Sequence, residues 1–255
     1  MVLTVAGEPL IAYLLASLRI VAWLAVVPPF AGRSVPPTVK AVLSLGLAFA
    51  VAPGLADGTI ETGPFALLLN SATQVLIGLA MGYVTALIFA AVAAAGSLVD
   101  LFGGFSLAQG FDPLGMNQTS VFGRFHQQLA IILLFATGGH LLVIGGLLTT
   151  FDALPLGVNP GPVGGPGLLI TAFTTFFAVA VQIALPLIGV LFVADLGLAL
   201  LTKIAPQLNA LNVMFPMKIG LTLLLLGLSF PALSPAIQRL TDLALEAMAT
   251  MAGAG

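Results

Sequence analysis

The chain has 255 residues, 60% of them hydrophobic and 6% charged, with seven Lys+Arg against nine Asp+Glu and no cysteine. A soluble domain carries about 25% charged residues, so most of this surface must face lipid, partner subunits or itself, as in a multi-helix integral-membrane protein. The net charge of −2 supplies no basic patch for nucleic acid, and the missing cysteines exclude disulfides, thiolate metal sites and cysteine nucleophiles.

The first ten residues, MVLTVAGEPL, lack a basic stretch, and no small-residue cleavage site follows, so the first apolar segment is expected to be retained. Six apolar runs then follow: Leu10–Phe30, Val39–Ala56, Phe65–Val99, Val121–Phe151, Leu168–Leu201 and Val213–Phe230. About 20 helical residues at 1.5 Å each cross a hydrocarbon core of about 30 Å. The first, second and sixth runs have that length. The third, fourth and fifth are too long, which predicts helices that are tilted, extended beyond a bilayer or internally broken. Pro186 is the candidate for a break in the fifth, because proline removes a backbone donor and crowds the preceding turn.

The tail after Ser234 changes character. Ile237, Leu240, Leu243, Ala244 and Ala247 recur at helical spacing, while Gln238, Arg239, Asp242 and Glu246 fall elsewhere, which predicts a short amphipathic helix packed on a surface or partner. If each run crosses once, Arg33, Lys40, Arg124, Lys203 and Lys218 share one side, and Glu8, Asp57, Glu61, Asp152 and the tail share the other. The basic side is then cytoplasmic and both termini lie outside.

Few residues offer chemistry. Asp100, Asp195 and Arg19 lie in or at the edge of apolar runs, where an ionisable group costs at least about 2.5–3.5 kcal/mol and so calls for a partner or a function. The motifs that surround an intramembrane aspartyl protease pair are absent, so helix packing or pore lining is the expected role of the two aspartates. Arg19 should meet a carboxylate, a helix C-terminus or a water-filled cavity. His126 and His140 have no second ligand at helical spacing, so no metal site is expected. No nucleophile, base and orienting group assemble, and the chain does not read as an enzyme or as the holder of a cofactor. Small residues at Gly78–Gly82, Ala90–Gly96 and Gly138–Gly139 predict close helix contacts.

The stretch GGFSLAQGFDPLGMNQTS, Gly103 to Ser120, joins the third and fourth runs with four glycines and a proline, yet keeps Phe105, Leu107, Phe111, Leu114 and Met116. A loop that only crossed water has no need of so many large apolar side chains.

Several segments, in order, resemble the FliR family, the export-gate component of flagellar type III secretion. They are RSVPPTVKAVLSLGLAFAVAP, then IGLAMGYVTALIFAAVAAAGSLVDLFGGFSLAQGFDP, TGGHLLVI, FDALPLG and LGLALLTKIAPQLNALNVMFPMKIGLTLLLL. Injectisome relatives share the pattern, with IAPQLN and FDALPLG nearer the flagellar branch. The resemblance implies one subunit that joins FliP-like and FliQ-like membrane subunits in a cone-shaped channel for unfolded protein substrates, largely above the plane of the bacterial inner membrane.

It further implies a FliP-like helical region over 1–182 and a FliQ-like hairpin plus C-terminal helix over 183–255. The fold class expected is all-α: membrane-type helical hairpins, long kinked helices, a central plug-like loop and the amphipathic tail. The resemblance places the loop in the channel as a plug, with Phe105, Leu107, Phe111, Asp112, Pro113 and Met116 as gate residues. Apolar side chains there block ions by dewetting without gripping any one substrate residue. The alternative is an ordinary interhelical loop. Lys203, Gln207, Asn209 and Lys218, on the predicted cytoplasmic side, are expected to line the entrance and to meet an FlhB-like export component. A small-solute secondary transporter is the competing reading; it predicts a midplane site between inverted repeats, and the two halves show no convincing repeat.

Overall fold

The structure is a computed structural model that describes residues 7–32, 35–55, 60–61, 63–105, 120–157, 166–205 and 210–253, with backbone alone at 166, 168 and 210–214. Among the described residues the chain is all-α.

Helix α1, Gly7–Val26, opens with Glu8 in its first turn, where a carboxylate complements the helix dipole. Its buried face, Ala12, Leu15, Ala16, Arg19, Ile20, Trp23 and Leu24, follows the three-and-four spacing of one helical stripe. The prolines at 28 and 29 end it by removing backbone donors. Helix α2, Pro37–Val51, starts with proline at its first position, where the missing N–H costs nothing, and packs on α1.

Helix α3, Pro64–Gly103, runs 40 residues without interruption. It meets α1 at backbone distance: a Cβ on Gly78 would strike the Arg19 carbonyl, and one on Gly82 would lie 3.0 Å from the Trp23 carbonyl. The four-residue spacing of these glycines puts both on one face, the small-residue contact that apolar helices use.

The fourth apolar run is two helices, α4 (Val121–Ala136) and α5 (Gly139–Ala153). Between them Gly138 takes φ +75°, a left-handed conformation that side chains disfavour. Here an overlong run does hide a break. The fifth does not: α6, Pro166–Ile204, continues for 39 residues through Pro186. The expectation of a break at that proline is corrected. In apolar surroundings no water rescues freed backbone groups, so losing the one bond that proline removes is better than abandoning several. Helix α7, Ala210–Met251, likewise contains Pro216, Pro231 and Pro235 over its 42 residues.

The tail is the last part of α7. Leu233, Ile237, Leu240, Ala244 and Met248 are buried, while Gln238, Arg239, Asp242 and Glu246 are exposed. A Cβ on Gly146 of α5 would strike Leu245 and come within 3.1 Å of Met248, so the last turns of the tail lie directly on α5.

The chain divides into two compact units, Met1–Ile88 with Gly138–Phe173 and Leu240–Gly255, and Phe89–Thr137 with Thr174–Arg239. Helices α3, α6 and α7 each contribute to both. The first unit centres on Ile20, Trp23, Ile77, Met81, Leu147 and Phe151. The second centres on Ala95, Val99, Phe122, Ala184, Leu187 and Leu226, with Phe105 packed against it. Among the described residues, five helical segments are long and apolar enough to cross a membrane, and α4 with α5 makes a sixth if the broken pair is one span.

Candidate functional site

In the second unit, the end of α3 and the start of α4 form a tight junction. Gly96 and Gly123 allow it: a Cβ at 96 would strike the Phe122 carbonyl, and one at 123 would lie 2.6 Å from Ser97 Oγ. Asp100, one turn beyond Gly96, is 3% exposed. Its carboxylate accepts the Ser120 hydroxyl, and both oxygens lie 3.2 Å from the Phe122 amide nitrogen. Ser120 is also the N-cap of α4, accepting from the Gly123 amide at 2.8 Å. Its hydroxyl therefore donates to the carboxylate while its oxygen satisfies one of the helix's orphan N–H groups. Charge-assisted bonds of this kind offset the burial of the carboxylate. His126, a turn further along α4, donates from Nδ1 to the Phe122 carbonyl at 2.8 Å.

The residues after Asp100 lean on α7. A Cβ on Gly103 would approach Thr222 to 2.8 Å, and Gly104 turns with φ +84° beside the Lys218 stem. Phe105 then packs edge-on against Phe122, with centroids 4.7 Å apart. Lys218 Nζ donates to Asp195 Oδ2 at 2.8 Å, a pair whose side chains are 20% and 35% exposed. The structure thus brings Phe105, Lys218 and Asp195 into one unit with Asp100. Lys203 is exposed in the last turn of α6. Leu107, Phe111, Asp112, Pro113, Met116, Gln207 and Asn209 lie outside the described residues.

Arg19 belongs to the first unit and is fully buried. Its Nε donates to Gln74 Oε1 at 2.8 Å and its Nη2 to the Leu154 carbonyl at 2.8 Å. The guanidinium lies 4.1 Å from the Phe151 ring centroid, a cation–π contact. Leu154 is the C-cap of α5, so the cation sits at the negative end of that helix dipole. Gln74 Nε2 in turn donates to Asn70 Oδ1 and to the Leu156 carbonyl. The FDALPLG turn is therefore held from both sides by Arg19 and Gln74. Nη1 makes no hydrogen bond among the described residues.

Two partners escaped the sequence reading. Gln74, an amide inside a 40-residue apolar helix, carried a signal by its cost alone. Ser120, immediately before an apolar run, has the residue type and place of an N-cap. Neither arrangement assembles a nucleophile with a base. Among the described residues no three His, Asp or Glu side chains gather as metal ligands. What these nodes do is hold backbone: each fixes a helix end by satisfying its exposed amides or carbonyls.

Comparison with known proteins places this scaffold. Residues 10–244 match the model of a family described as bacterial export proteins, family 1. The chain belongs to this family. Among its relatives is the flagellar biosynthetic protein FliR of Escherichia coli (strain K12), 34% identical over 223 residues, 88% of this chain and 85% of that one. FliR of Bacillus subtilis (strain 168) is 29% identical over 245 residues, 93% of each chain. The Yop proteins translocation protein T of Yersinia pestis is 30% identical over 183 residues, 71% of this chain and 70% of that one. The family match spans the Arg19 node, the Asp100 junction and the Lys218–Asp195 pair, so all three belong to the export protein's own scaffold.

Proposed function

We propose that the chain is a structural and gating subunit of a type III secretion export gate in the bacterial inner membrane, at the flagellar basal body. With FliP-like and FliQ-like subunits it forms the channel through which unfolded flagellar proteins leave the cell, and it performs no catalysis. The wider coverage of the flagellar relatives over the Yop relative supports the flagellar assignment.

The observation that carries the multisubunit reading is the length of the exposed apolar surface. Along α6 it runs from Leu169 to Ile204. At 1.5 Å per residue this stripe is about 53 Å long. Even at a steep tilt of about 40°, such a stripe spans about 40 Å along the membrane normal, against a hydrocarbon core of about 30 Å. Lipid alone leaves apolar surface in water, so protein must cover the remainder. A lone transporter has no source for that cover; a subunit of a larger channel does.

Within this reading, 1–182 acts as the FliP-like region and 183–255 as the FliQ-like hairpin with its terminal helix. Phe105, Leu107, Phe111, Asp112, Pro113 and Met116 close the resting channel. Lys203, with Gln207, Asn209 and Lys218, faces the cytoplasmic entrance and an FlhB-like component. Expression alone should yield aggregated or poorly stable protein in detergent, and co-expression with FliP- and FliQ-like partners should yield a stable complex. A monodisperse, thermally stable monomer sinks the proposal.

A further inference from the structure

Helices α6 and α7 each lose a backbone hydrogen bond at the same level of the second unit. The Lys218–Asp195 pair at 2.8 Å sets their register. Pro186 lies nine residues before Asp195, and Gly227 lies nine residues after Lys218. Ala184 and Leu187 of α6 share a buried cluster with Leu226 of α7, so the two helices are packed together here. Pro186 has no N–H to give the Gln182 carbonyl, and Pro231 has none for the Gly227 carbonyl. Each proline stands four residues beyond the acceptor it would have satisfied.

Gln182, Pro186, Gly227 and Pro231 are all exposed. The Gln182 side-chain amide, with two donors and one acceptor, makes no hydrogen bond among the described residues. Hydroxyls of Thr222 and Ser229 bond back to other carbonyls of α7, yet no described side chain donates to the carbonyl of 182 or 227. Around them Val181, Leu185, Val193, Leu224 and Leu228 are exposed and apolar. Two freed carbonyls and an unpaired amide thus sit within an apolar belt. Lipid chains have no donor to offer them, and a water-lined surface there would hold all those aliphatic side chains in water. On the Gln182 face of α6, a Cβ on Gly189 meets nothing within 4 Å, which leaves room for another backbone to come close.

We infer that this level is a docking site for a membrane helix of a neighbouring subunit, one whose side-chain amide or hydroxyl pairs with Gln182 and donates to a freed carbonyl. It rests on the multisubunit export-gate reading and deepens it. Apolar contact along α6 supplies cover, and this level sets the register at which the partner stops. A partner helix slid by one turn keeps its apolar contact but leaves the polar groups unpaired, so they fix a position that packing alone does not.

The test uses the complete complex, co-expressed and purified with its partners. A photoreactive benzophenone side chain in place of exposed Val193, on the Gln182 face, should give an adduct of this chain with a different subunit. An adduct to lipid alone, or to a second copy of this chain, overturns the inference. Gln182→Leu keeps the bulk and removes the amide. It should lower the partner retained after a stringent detergent wash by about fivefold or more, at unchanged abundance of this chain. Val193→Leu should change retention by less than about twofold. Pro186→Ala restores an N–H to the Gln182 carbonyl and so favours the helix itself, yet it should also lower retention. A proline with a purely structural role gives the opposite result.

Water is separated from protein by Gln182→Cys, which gives the chain a single cysteine. In the intact complex this thiol should react with a charged maleimide at least about tenfold more slowly than that of Glu246→Cys, on the exposed face of the tail. Equal rates with partners retained make this a water-lined face and overturn docking. If the parent chain forms no complex, the multisubunit reading falls and the docking site with it. If the complex assembles, and Gln182→Leu and Pro186→Ala both retain partners as the parent does, the docking site alone falls.

Discussion

Arg19 in the first unit and Asp100 in the second are both ionisable groups drawn into apolar surroundings, yet they are stabilised in opposite ways. The described partners of Arg19 are neutral: an amide oxygen, the carbonyl at the C-terminal end of α5 and an aromatic face. Those of Asp100 are a hydroxyl and an amide at the N-terminal start of α4. Each charge has found the helix end of complementary sign, and neither uses a salt bridge to do so. The difference is what each helix end leads to. Arg19 holds the FDALPLG turn to α1 and α3 and so closes a packed frame. Asp100 holds the end of α3 to the start of α4.

The contrast breaks most visibly at Arg19. Arg19→Ala removes the donor to two buried acceptors, at about 1–3 kcal/mol each, and empties a large buried volume beside Phe151, at a further cost of about 2 kcal/mol or more. The expected outcome is loss of folded protein, read as abundance and thermal stability of the co-expressed complex. Arg19→Lys should recover only part, since an ammonium lacks the planar fork that reaches Gln74 and Leu154 together. If Arg19→Ala matches exposed Arg239→Ala in stability, the frame does not depend on this node.

The glycine contacts come next, and they sharpen the comparison because both units have one. Gly78→Ala pushes a methyl into the Arg19 carbonyl, and Gly96→Ala pushes one into the Phe122 carbonyl. Neither neighbour is a flexible side-chain end, so each should destabilise by about 1–3 kcal/mol. Gly220→Ala, with open space around it, should be neutral or stabilising by up to about 1 kcal/mol, since it lowers the entropy of the unfolded chain. Thermal melts of the three variants order them directly. If Gly220→Ala proves as harmful as Gly78→Ala, a second surface covers that face in the assembly.

How far the sequence carried these conclusions differs by kind of feature. The buried stripe of the tail was legible residue by residue, because helical periodicity reports a face whatever lies against it. Prolines misled at 186, since rules drawn from solvated helices assume that water rescues freed carbonyls. The break at Gly138 lay inside a run already recognised as too long, but nothing in its apolar pattern distinguished that glycine from Gly145 or Gly146. Arg19 and Asp100 were legible as costs. Their partners were not, because Gln74 and Ser120 are neutral residues 55 and 20 positions away, brought in by packing that periodicity does not encode. The exposed stripes were legible only as excess length; which side of each helix stays uncovered required the fold.

The smallest expected effect belongs to Lys218 and Asp195, and it tests whether a charge pair in the second unit behaves like either node. Their side chains keep 20% and 35% exposure, so solvent screens the pair far more than it screens Arg19 or Asp100. Pairs of this exposure contribute about 0–1 kcal/mol. A double-mutant cycle with Lys218→Ala and Asp195→Ala, read by thermal stability of the complex, should give a coupling below about 1 kcal/mol. Export is the second readout. Lys203→Glu with Lys218→Glu should lower export while complex abundance holds, because Lys203 lies exposed in the last turn of α6 and the Lys218–Asp195 pair contributes at most about 1 kcal/mol. A coupling of about 3 kcal/mol or more makes the pair a third buried brace like the Arg19 node. Unchanged export under charge reversal removes both lysines from the entrance and leaves their positive charge to set orientation during insertion.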